Sequence, residues 1–377
     1  MKGKPSQTNN SKHEAVQSGR SGDLAPLPKL IWDLGTAYDF FISLDVLHFP
    51  EKMGLRPSWA AGVRSRVSTE ERKTLEESMI LMDVPLHWIY TLSEPKDGAT
   101  ALWALRQIPP EQRLLSLGLS GKIPEDAQKI LKEISARRSW KQKELESLKE
   151  ILKGNRHEKI LAGDIPHILD IWANPTGFGE RYLQALQSYY QAFFAEEERH
   201  IAPTLTAALE RARKLSVQLS LDKLLEELTQ GLHLPWFRDV PELVLAPSYW
   251  STPLVFLGKV NPERSILLFG ARPANASLIP GEVVPDALLR VLKAMADPTR
   301  LRILRYLVRE QLTPAEISRR LRLRAPTVIH HLSELRLAGL VHITFEEHAE
   351  RRYTARMEGV LGLNELLDEF LQCRGKG

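Results

Sequence analysis

The sequence contains very little cysteine and no long apolar run. Cys373 is the single cysteine among 377 residues, which excludes a disulfide within the chain and a metal site made of several thiolates from one chain. No stretch of about 18 apolar residues occurs, so we expect no membrane span. Residues 1–23 are polar and basic without an apolar centre, which predicts a disordered tail and not a secretory signal. Together these absences favour a cytoplasmic protein.

Sequence motifs of common enzyme classes are also missing. The chain has no G-x-S-x-G, H-E-x-x-H, P-loop or G-x-G-x-x-G pattern, so we expect neither an enzyme nor a bound cofactor. The net charge of the whole chain is only +4, but it is unevenly distributed. Residues 286–356 contain 14 Lys and Arg against 8 Asp and Glu, a local charge of +6 that leaves −2 for the rest. Such an excess is typical of a segment that meets a polyanion, and also of an Arg-rich surface helix.

The patterns that are present divide the chain into five segments and predict a mainly α fold with small β elements. After the tail, residues 24–235 show apolar residues at helical spacing, which predicts a helical domain for sensing or assembly. Ser68 and Glu71 form a capping box at the start of one of its helices. Residues 236–284 contain three β-rich runs, which predict a short antiparallel sheet followed by a linker. The runs are Glu242–Ala246, Leu254–Gly258 and Ser265–Gly270, with a hairpin turn over Asn261–Arg264.

Residues 285–357 carry the most specific pattern, and residues 358–377 follow it with one apolar helix. Short helical patterns lead to a helix with a polar start and a His pair, and then to two alternating strands joined by a charged loop. Thr313 and Pro314 form a capping pair at a helix start. The inner face of the following helix is expected to consist of Val328, Leu332 and Leu335. This order of elements predicts a winged helix-turn-helix.

The same stretch resembles the ArsR-type family of bacterial repressors. The matching residues are Asp297-Pro298-Thr299-Arg300-Leu301-Arg302-Ile303-Leu304, Thr327-Val328, His330-His331-Leu332, Leu335 and Ala338-Gly339-Leu340-Val341. The likeness covers about a fifth of the chain, and several separated blocks agree in order and spacing. It implies a transcriptional repressor that binds double-stranded DNA as a homodimer, with the helix of residues 358–377 in the dimer interface. Packing of that helix within one chain is the alternative.

The resemblance puts the DNA contacts on the recognition helix and around it. Such a helix enters the major groove with its N-terminal residues against the base edges, which selects Arg324, Thr327 and His330. Ala325 and Ile329 offer apolar contact to a thymine methyl group. The remaining candidates for contact with DNA are Arg336 on the same helix, Thr313 and Arg320 on the preceding helix, and Arg351 and Arg352 beside the wing.

Two residues at the start of the recognition helix depart from the family pattern. Arg324 and Pro326 stand where small polar residues are common, so Arg324 either reads a base or clamps a phosphate. Glu346, Glu347 and Glu350 make the wing tip acidic. Either these carboxylates orient the arginines beside them, or the tip does not touch DNA.

Metal sensing, which the family suggests, has no support in these residues. The stretch LTPAEIS lacks the paired cysteines of thiolate sensors, and the last helix has Asp368 but no His. His200 beside Glu196–Glu198 is expected on a solvated helix face. A small-molecule effector other than a metal is therefore the candidate signal, and the eight tryptophans, all before residue 286, either line its pocket or fill a core. Two other functions stay open: a winged helix that docks protein, and an enzyme with a DNA-binding appendage.

Overall fold

The computed structural model describes residues 27–53, 55, 57–119, 123–154, 164–277, 284–345 and 351–372. Helices make up most of this part of the chain, which confirms the mainly α fold class. The expected tail, residues 1–23, and the acidic wing-tip residues Glu346, Glu347 and Glu350 lie outside the described residues.

Within the described residues, the N-terminal half contains one strand, twelve α-helices, a 3-10 helix at Pro50–Met53 and a short π-helical segment, Tyr190–Phe194, between the tenth and eleventh α-helices. In order they are β1 (Lys29–Trp32), α1 (Thr36–His48), α2 (Pro57–Arg64), α3 (Thr69–Leu81), α4 (Leu86–Tyr90), α5 (Gly98–Gln107), α6 (Pro110–Gly118), α7 (Glu125–Arg137), α8 (Gln142–Gly154), α9 (Ile165–Ala173), α10 (Pro175–Tyr189), α11 (Ala195–Gln218) and α12 (Leu221–Leu228). The predicted capping box is present at α3, where Ser68 Oγ accepts from Glu71 N and the Glu71 carboxylate accepts from Ser68 N.

The C-terminal half contains the remaining strands and the winged helix. In order they are β2 (Leu232–His233), β3 (Glu242–Ser248), β4 (Phe256–Asn261), β5 (Arg264–Gly270), α13 (Asp286–Met295), α14 (Pro298–Leu307), α15 (Pro314–Leu321), α16 (Ala325–Leu337), β6 (Val341–Thr344), β7 (Arg352–Ala355) and α17 (Met357–Gln372). The predicted wing is confirmed, because β6 and β7 pair antiparallel with Ile343 opposite Tyr353.

A four-stranded sheet with the order β1-β3-β5-β4 connects the two halves. Strands β4 and β5 form the predicted antiparallel hairpin around Pro262 and Glu263. Strand β3, however, pairs parallel with both β1 and β5, so the sheet is mixed and the prediction of an antiparallel sheet was wrong. The first strand belongs to a part of the chain that we expected to be helical. Four residues are too few to show a strand period, and their partner strand is distant in sequence.

The two faces of this sheet belong to different hydrophobic cores. One face, formed by Val244, Ala246, Ile266 and Leu268, packs against the N-terminal helices. The other face, formed by Leu243, Leu245, Leu267 and Phe269, packs with the winged helix. All eight residues are at most 2% exposed. Because side chains of a strand alternate between the two faces of a sheet, one sheet serves as a wall for both cores.

A short segment from outside residues 285–357 completes the winged helix. Strand β2 pairs parallel with β6, which gives a second sheet with the order β2-β6-β7. Leu232 and Leu234 are buried in the same core as Ile343. Residues 232–234, which we assigned to the helical domain, therefore pack as part of the winged helix.

The aromatic residues around Tyr189 fill the N-terminal core. Tyr189 is buried, donates from its hydroxyl group to Ser43 Oγ (2.8 Å) and stacks on Phe40 with ring centres 5.9 Å apart. Trp172 and Trp250 are also buried, whereas Trp103 is exposed. Core packing thus accounts for the buried aromatic residues named here.

Candidate nucleic-acid interface

Helices α15 and α16 form the helix-turn-helix, and local sequence explains their packing. Glu316 N donates to Thr313 Oγ1 (3.3 Å) and Thr313 N donates to Glu316 Oε2 (2.8 Å), with Pro314 in the first turn. This arrangement confirms the predicted start of α15. The predicted inner face of α16 is also confirmed, since Val328, Leu332 and Leu335 are all buried.

The turn between these helices brings two arginines to the surface. Arg322 ends α15 in the left-handed conformation, with φ of 55°. Arg324 is the N-cap residue of α16, and both arginines are exposed. Arg322 was not among our predicted contact residues, and its position in the turn two residues before Arg324 places a second exposed cation beside them.

Five predicted contact residues form one exposed surface at the start of α16. They are Arg324, Ala325, Thr327, Ile329 and His330. Ile329 is 53% exposed, so its aliphatic side chain is open to a partner molecule. Among the described residues no side chain caps α16, so the positive end of the helix dipole faces outward beside Arg324. This surface combines cationic, polar and apolar groups within one helical turn and a half.

The two histidines of the pair point to different surroundings. His330 is exposed together with the residues above. His331 lies behind it, with Nδ1 4.0 Å from Asp297 Oδ1, and burial lowers the pKa of His331 below its ordinary value. Asp297 itself caps α14 by accepting from Arg300 N (2.8 Å). Of the pair, His330 is therefore the residue available to a partner molecule.

Arg336 faces the opposite side of α16, away from the exposed surface, although we predicted that it contacts DNA. Its side chain is 6% exposed, and its guanidinium group donates to the carbonyl oxygens of Thr229 (2.8 Å) and Gln230 (3.1 Å). Burial, with a contribution from nearby Arg356, lowers the pKa of Arg336 to about 10. The arginine ties α16 to the turn before β2. Sequence patterns miss this role because the two carbonyl groups lie 107 and 106 residues away.

The two candidates on α15 are engaged within the protein. Thr313 is buried and its polar groups serve the helix cap, although we predicted that it contacts DNA. Arg320 is exposed but forms an ion pair with Glu310, in which Nη2 lies 2.9 Å from Oε2. Their hydrogen bond raises the pKa of Arg320 and lowers that of Glu310. Arg320 can bind a phosphate only if its ion pair with Glu310 breaks.

The wing places its two arginines differently. Arg351 is exposed, and its guanidinium carbon lies 5.1 Å from the centre of the Phe345 ring. Arg352 is half-buried, with Nη1 4.0 Å from a carboxylate oxygen of Glu316. Arg351 is therefore the more accessible cation, while Arg352 faces the start of α15.

Helix α17 has no buried residue along its described length. It lies against α13, but Leu361 and Leu371 are 64% and 59% exposed, and Leu292 on α13 is exposed as well. These two neighbouring helices leave apolar side chains open to a partner.

Metal-ligating residue types are scattered in this structure. Among the described residues, no group of three or more His, Cys, Asp and Glu side chains is arranged to hold a metal ion. His200 is exposed on α11, as predicted, but Glu198 accepts hydrogen bonds from Thr36, Gly98 and Tyr190 and so does not lie on a solvated face. No described helix combines the length and the apolar character needed to cross a membrane.

Comparison with known proteins agrees with this geometry. Residues 297–342 match the model of the arsR family of bacterial regulatory proteins. The HTH-type transcriptional regulators CmtR of Mycobacterium bovis and of Mycobacterium tuberculosis are each 38% identical to this chain over 90 residues. The aligned part is 24% of this chain and 76% of each relative. The chain therefore belongs to the ArsR family of bacterial regulatory proteins, and its winged helix is that of a DNA-binding transcriptional regulator.

Proposed function

We propose that this protein represses transcription by binding a specific duplex DNA sequence as a homodimer. The observation that carries the proposal is the exposed surface at the start of α16, on a helix whose inner face is fully packed. The residues of this surface are Arg324, Ala325, Thr327, Ile329 and His330. A helix of this kind fits the major groove, where its first residues meet the base edges. Protein bound over a promoter excludes the polymerase from it.

The residues of this surface differ in what they recognise. Thr327 and His330 carry hydrogen-bonding groups that distinguish one base from another, and Ile329 is an apolar partner for a thymine methyl group. Arg351 on the wing is a cation suited to phosphates. Arg324 can contact either a base or a phosphate, because it stands at the start of the helix, beside the groove. Affinity then depends strongly on salt, whereas sequence preference comes from α16.

The open apolar side of α13 and α17 supports the homodimer. Leu361 and Leu371 are exposed on α17, and Leu292 is exposed on the neighbouring helix α13. A two-fold axis through this side presents two copies of α16 to successive major grooves, about 34–36 Å apart. The expected operator is therefore an inverted repeat.

The regulator acts in the bacterial cytoplasm, and its signal is a small molecule other than a metal. The match to the relatives covers 24% of this chain, and the remainder includes a helical domain that shares a sheet with the winged helix. A conformational change in that domain can therefore reach α16 through the shared sheet and the core of the winged helix. The stretch LTPAEIS in and before α15 carries no thiol that would bind a soft metal.

Selection of bound fragments from genomic DNA tests the proposal. The wild-type protein is expected to enrich one inverted repeat, with an affinity that falls steeply as salt rises. Thr327→Ala and His330→Ala should change the preferred sequence, at a cost of ~1–3 kcal/mol for each lost base contact. Arg106→Gln removes an exposed charge from α5 and is the matched control.

Two results would contradict the proposal. Failure of the wild-type protein to retard any DNA at low salt would refute DNA binding and favour a protein-docking role. Equal losses on specific and random DNA in Thr327→Ala and His330→Ala would refute base reading by α16.

A further inference from the structure

A cleft of about 610 Å³ lies behind the winged helix. Its walls come from α11 and α12, the loop after β5, helices α13 and α17, and the turn that follows α16. Small side chains such as Ala208 and Ala287 leave room, while Phe269 and Val291 supply apolar surface. A concave site of this size with a mixed lining is typical of those that hold small molecules.

Two arginines line this cleft with hydrogen-bond donors that the described chain does not use. Arg272 is 7% exposed, and its Nη2 donates to Thr252 O (2.9 Å). Its Nη1 is buried without a hydrogen-bond partner in the described part of the chain. Arg290 on α13 likewise has buried Nε and Nη1 atoms with no such partner among those residues. Unpaired buried donors on charged groups are costly, so a ligand from outside the chain is the natural acceptor.

Four arginines and four glutamates line the cleft, so its lining is neutral in sum, and the two buried guanidinium groups of Arg272 and Arg290 are the part of it that suits an anion. Burial and the proximity of Arg290 lower the pKa of Arg272 to about 10, and burial lowers the pKa of Arg290. Asp286 opposes the shift at both arginines, and Glu197 opposes it at Arg272. The pKa of about 10 leaves Arg272 charged at neutral pH. An anion between them relieves their mutual repulsion and accepts from their free donors.

We propose that the cleft binds a small organic anion whose carboxylate or phosphate group lies against Arg272 and Arg290. Guanidinium groups match such oxyanions through paired N–H donors. The cleft is larger than an isolated oxyanion requires, so its apolar walls accommodate the rest of the molecule. The regulatory meaning of this site rests on the proposed function, because it names the class of effector; the binding itself does not depend on DNA.

The cleft lies where a bound ligand can change the position of α16 and so affect the DNA-facing surface. Gln230 lines the cleft, and its carbonyl oxygen accepts from Arg336 of α16. Residues 337–339 at the end of α16 and several residues of α17 line it as well. A ligand that draws these walls together changes how α16 sits against α17. In the dimer this alters the spacing of the two recognition helices and hence the affinity for the operator.

Isothermal titration calorimetry of the full chain tests the site, with inorganic phosphate and benzoate as probes at constant ionic strength in chloride. Benzamide is the uncharged control ligand, and Arg106→Gln is the control variant because it removes one exposed arginine outside the cleft. The wild-type protein and Arg106→Gln should bind at least one anion and not benzamide. Arg290→Gln and Arg272→Gln should bind about 10- to 100-fold more weakly, the loss expected for a charged hydrogen bond.

The proposal is overturned if the wild-type protein binds neither anion up to about 10 mM, well above the dissociation constants of most specific small-ligand sites. It is also overturned if Arg290→Gln binds as tightly as the wild-type protein. A wild-type protein that binds the anion but retards no DNA would refute the proposed function and leave the site intact. A wild-type protein that binds its operator but neither anion would refute the anion site and leave the proposed function intact.

Arg290→Met distinguishes a ligand-binding arginine from a structural one. Without ligand, the midpoint of thermal unfolding should stay the same or rise, because the substitution removes a buried charge whose Nε and Nη1 have no partner in the described chain. A clear fall in the midpoint would show that Arg290 supports the fold, and would overturn the proposal.

Discussion

The two sides of the winged helix use arginine in opposite ways. On the outward side, Arg324 and Arg351 are exposed at the start of α16 and beside the wing. On the inward side, Arg336 is buried and donates to two backbone carbonyl groups, and Arg290 lines a cleft. The position of an arginine in the sequence therefore does not reveal whether its side chain contacts DNA, the protein itself or a ligand.

Replacing Arg336 by Ala should have the largest effect, on the inward side. Thr229 O and Gln230 O lose their donors and a buried space opens, so the free energy of unfolding should fall by ~2–4 kcal/mol. Urea unfolding measures the change, with Arg106→Ala as an exposed arginine control. Wild-type stability combined with weaker DNA binding would show that Arg336 acts on the outward, DNA-facing side.

Leu361→Glu tests whether the exposed face of α17 forms the dimer interface. Because Leu361 is 64% exposed, the substitution should leave the single chain folded but put a charge into the proposed dimer interface. We expect the dimer to weaken by ~2–3 kcal/mol, roughly 30- to 150-fold in its dissociation constant. Sedimentation at several concentrations measures this, and Val217→Glu on α11 is the control, since Val217 is an apolar side chain that is 87% exposed. An unchanged dimer in Leu361→Glu would place the interface elsewhere.

Arg324→Ala should weaken DNA binding by ~1–2 kcal/mol without a change in stability, because the side chain is exposed. A changed sequence preference would show that Arg324 reads a base. Equal weakening on all sequences, with the salt slope lower by about 1, would show a phosphate contact. Arg324→Lys helps to separate the two, since lysine keeps the charge but loses the paired donors. Full affinity in Arg324→Ala on every DNA would remove it from the interface.

Arg351→Ala should have the smallest effect, below ~1 kcal/mol, because a single wing cation adds one phosphate contact. Gel retardation across a salt series measures the affinity and its slope. Arg352→Ala is the paired control and should change less, since Arg352 is half-buried and faces Glu316. A larger loss for Arg352 than for Arg351 would reverse the orientation that we assign to the wing.

Much of the winged helix could be predicted because its determinants are local. The cap of α15 needs only Thr313, Pro314 and Glu316, which stand within four positions of one another. The buried face of α16 follows from helical spacing, and the wing from alternation in two short strands. Exposure at the start of α16 followed from the same spacing. Family resemblance then supplied the meaning of that surface.

The parts that could not be predicted depend on contacts between distant segments. Strand β1 pairs with β3, and β2 with β6, and each pair joins segments that are far apart in the chain. The cleft is likewise assembled from the N-terminal helices, the loop after β5, the winged helix and α17. No window of sequence contains these neighbours together, so neither the mixed sheet nor the cleft was among our expectations.

The predominance of helix, the starts of α15 and α16 and the apolar side of α16 could be read from the sequence alone, because backbone capping and side-chain periodicity act within a few residues. The tertiary structure was needed to show that Arg336 binds backbone carbonyl groups inside the protein and that Arg272 and Arg290 line one cleft. A guanidinium group on a long flexible side chain adopts the role that its surroundings allow. Those surroundings are built by strands and helices that meet only after the chain has folded.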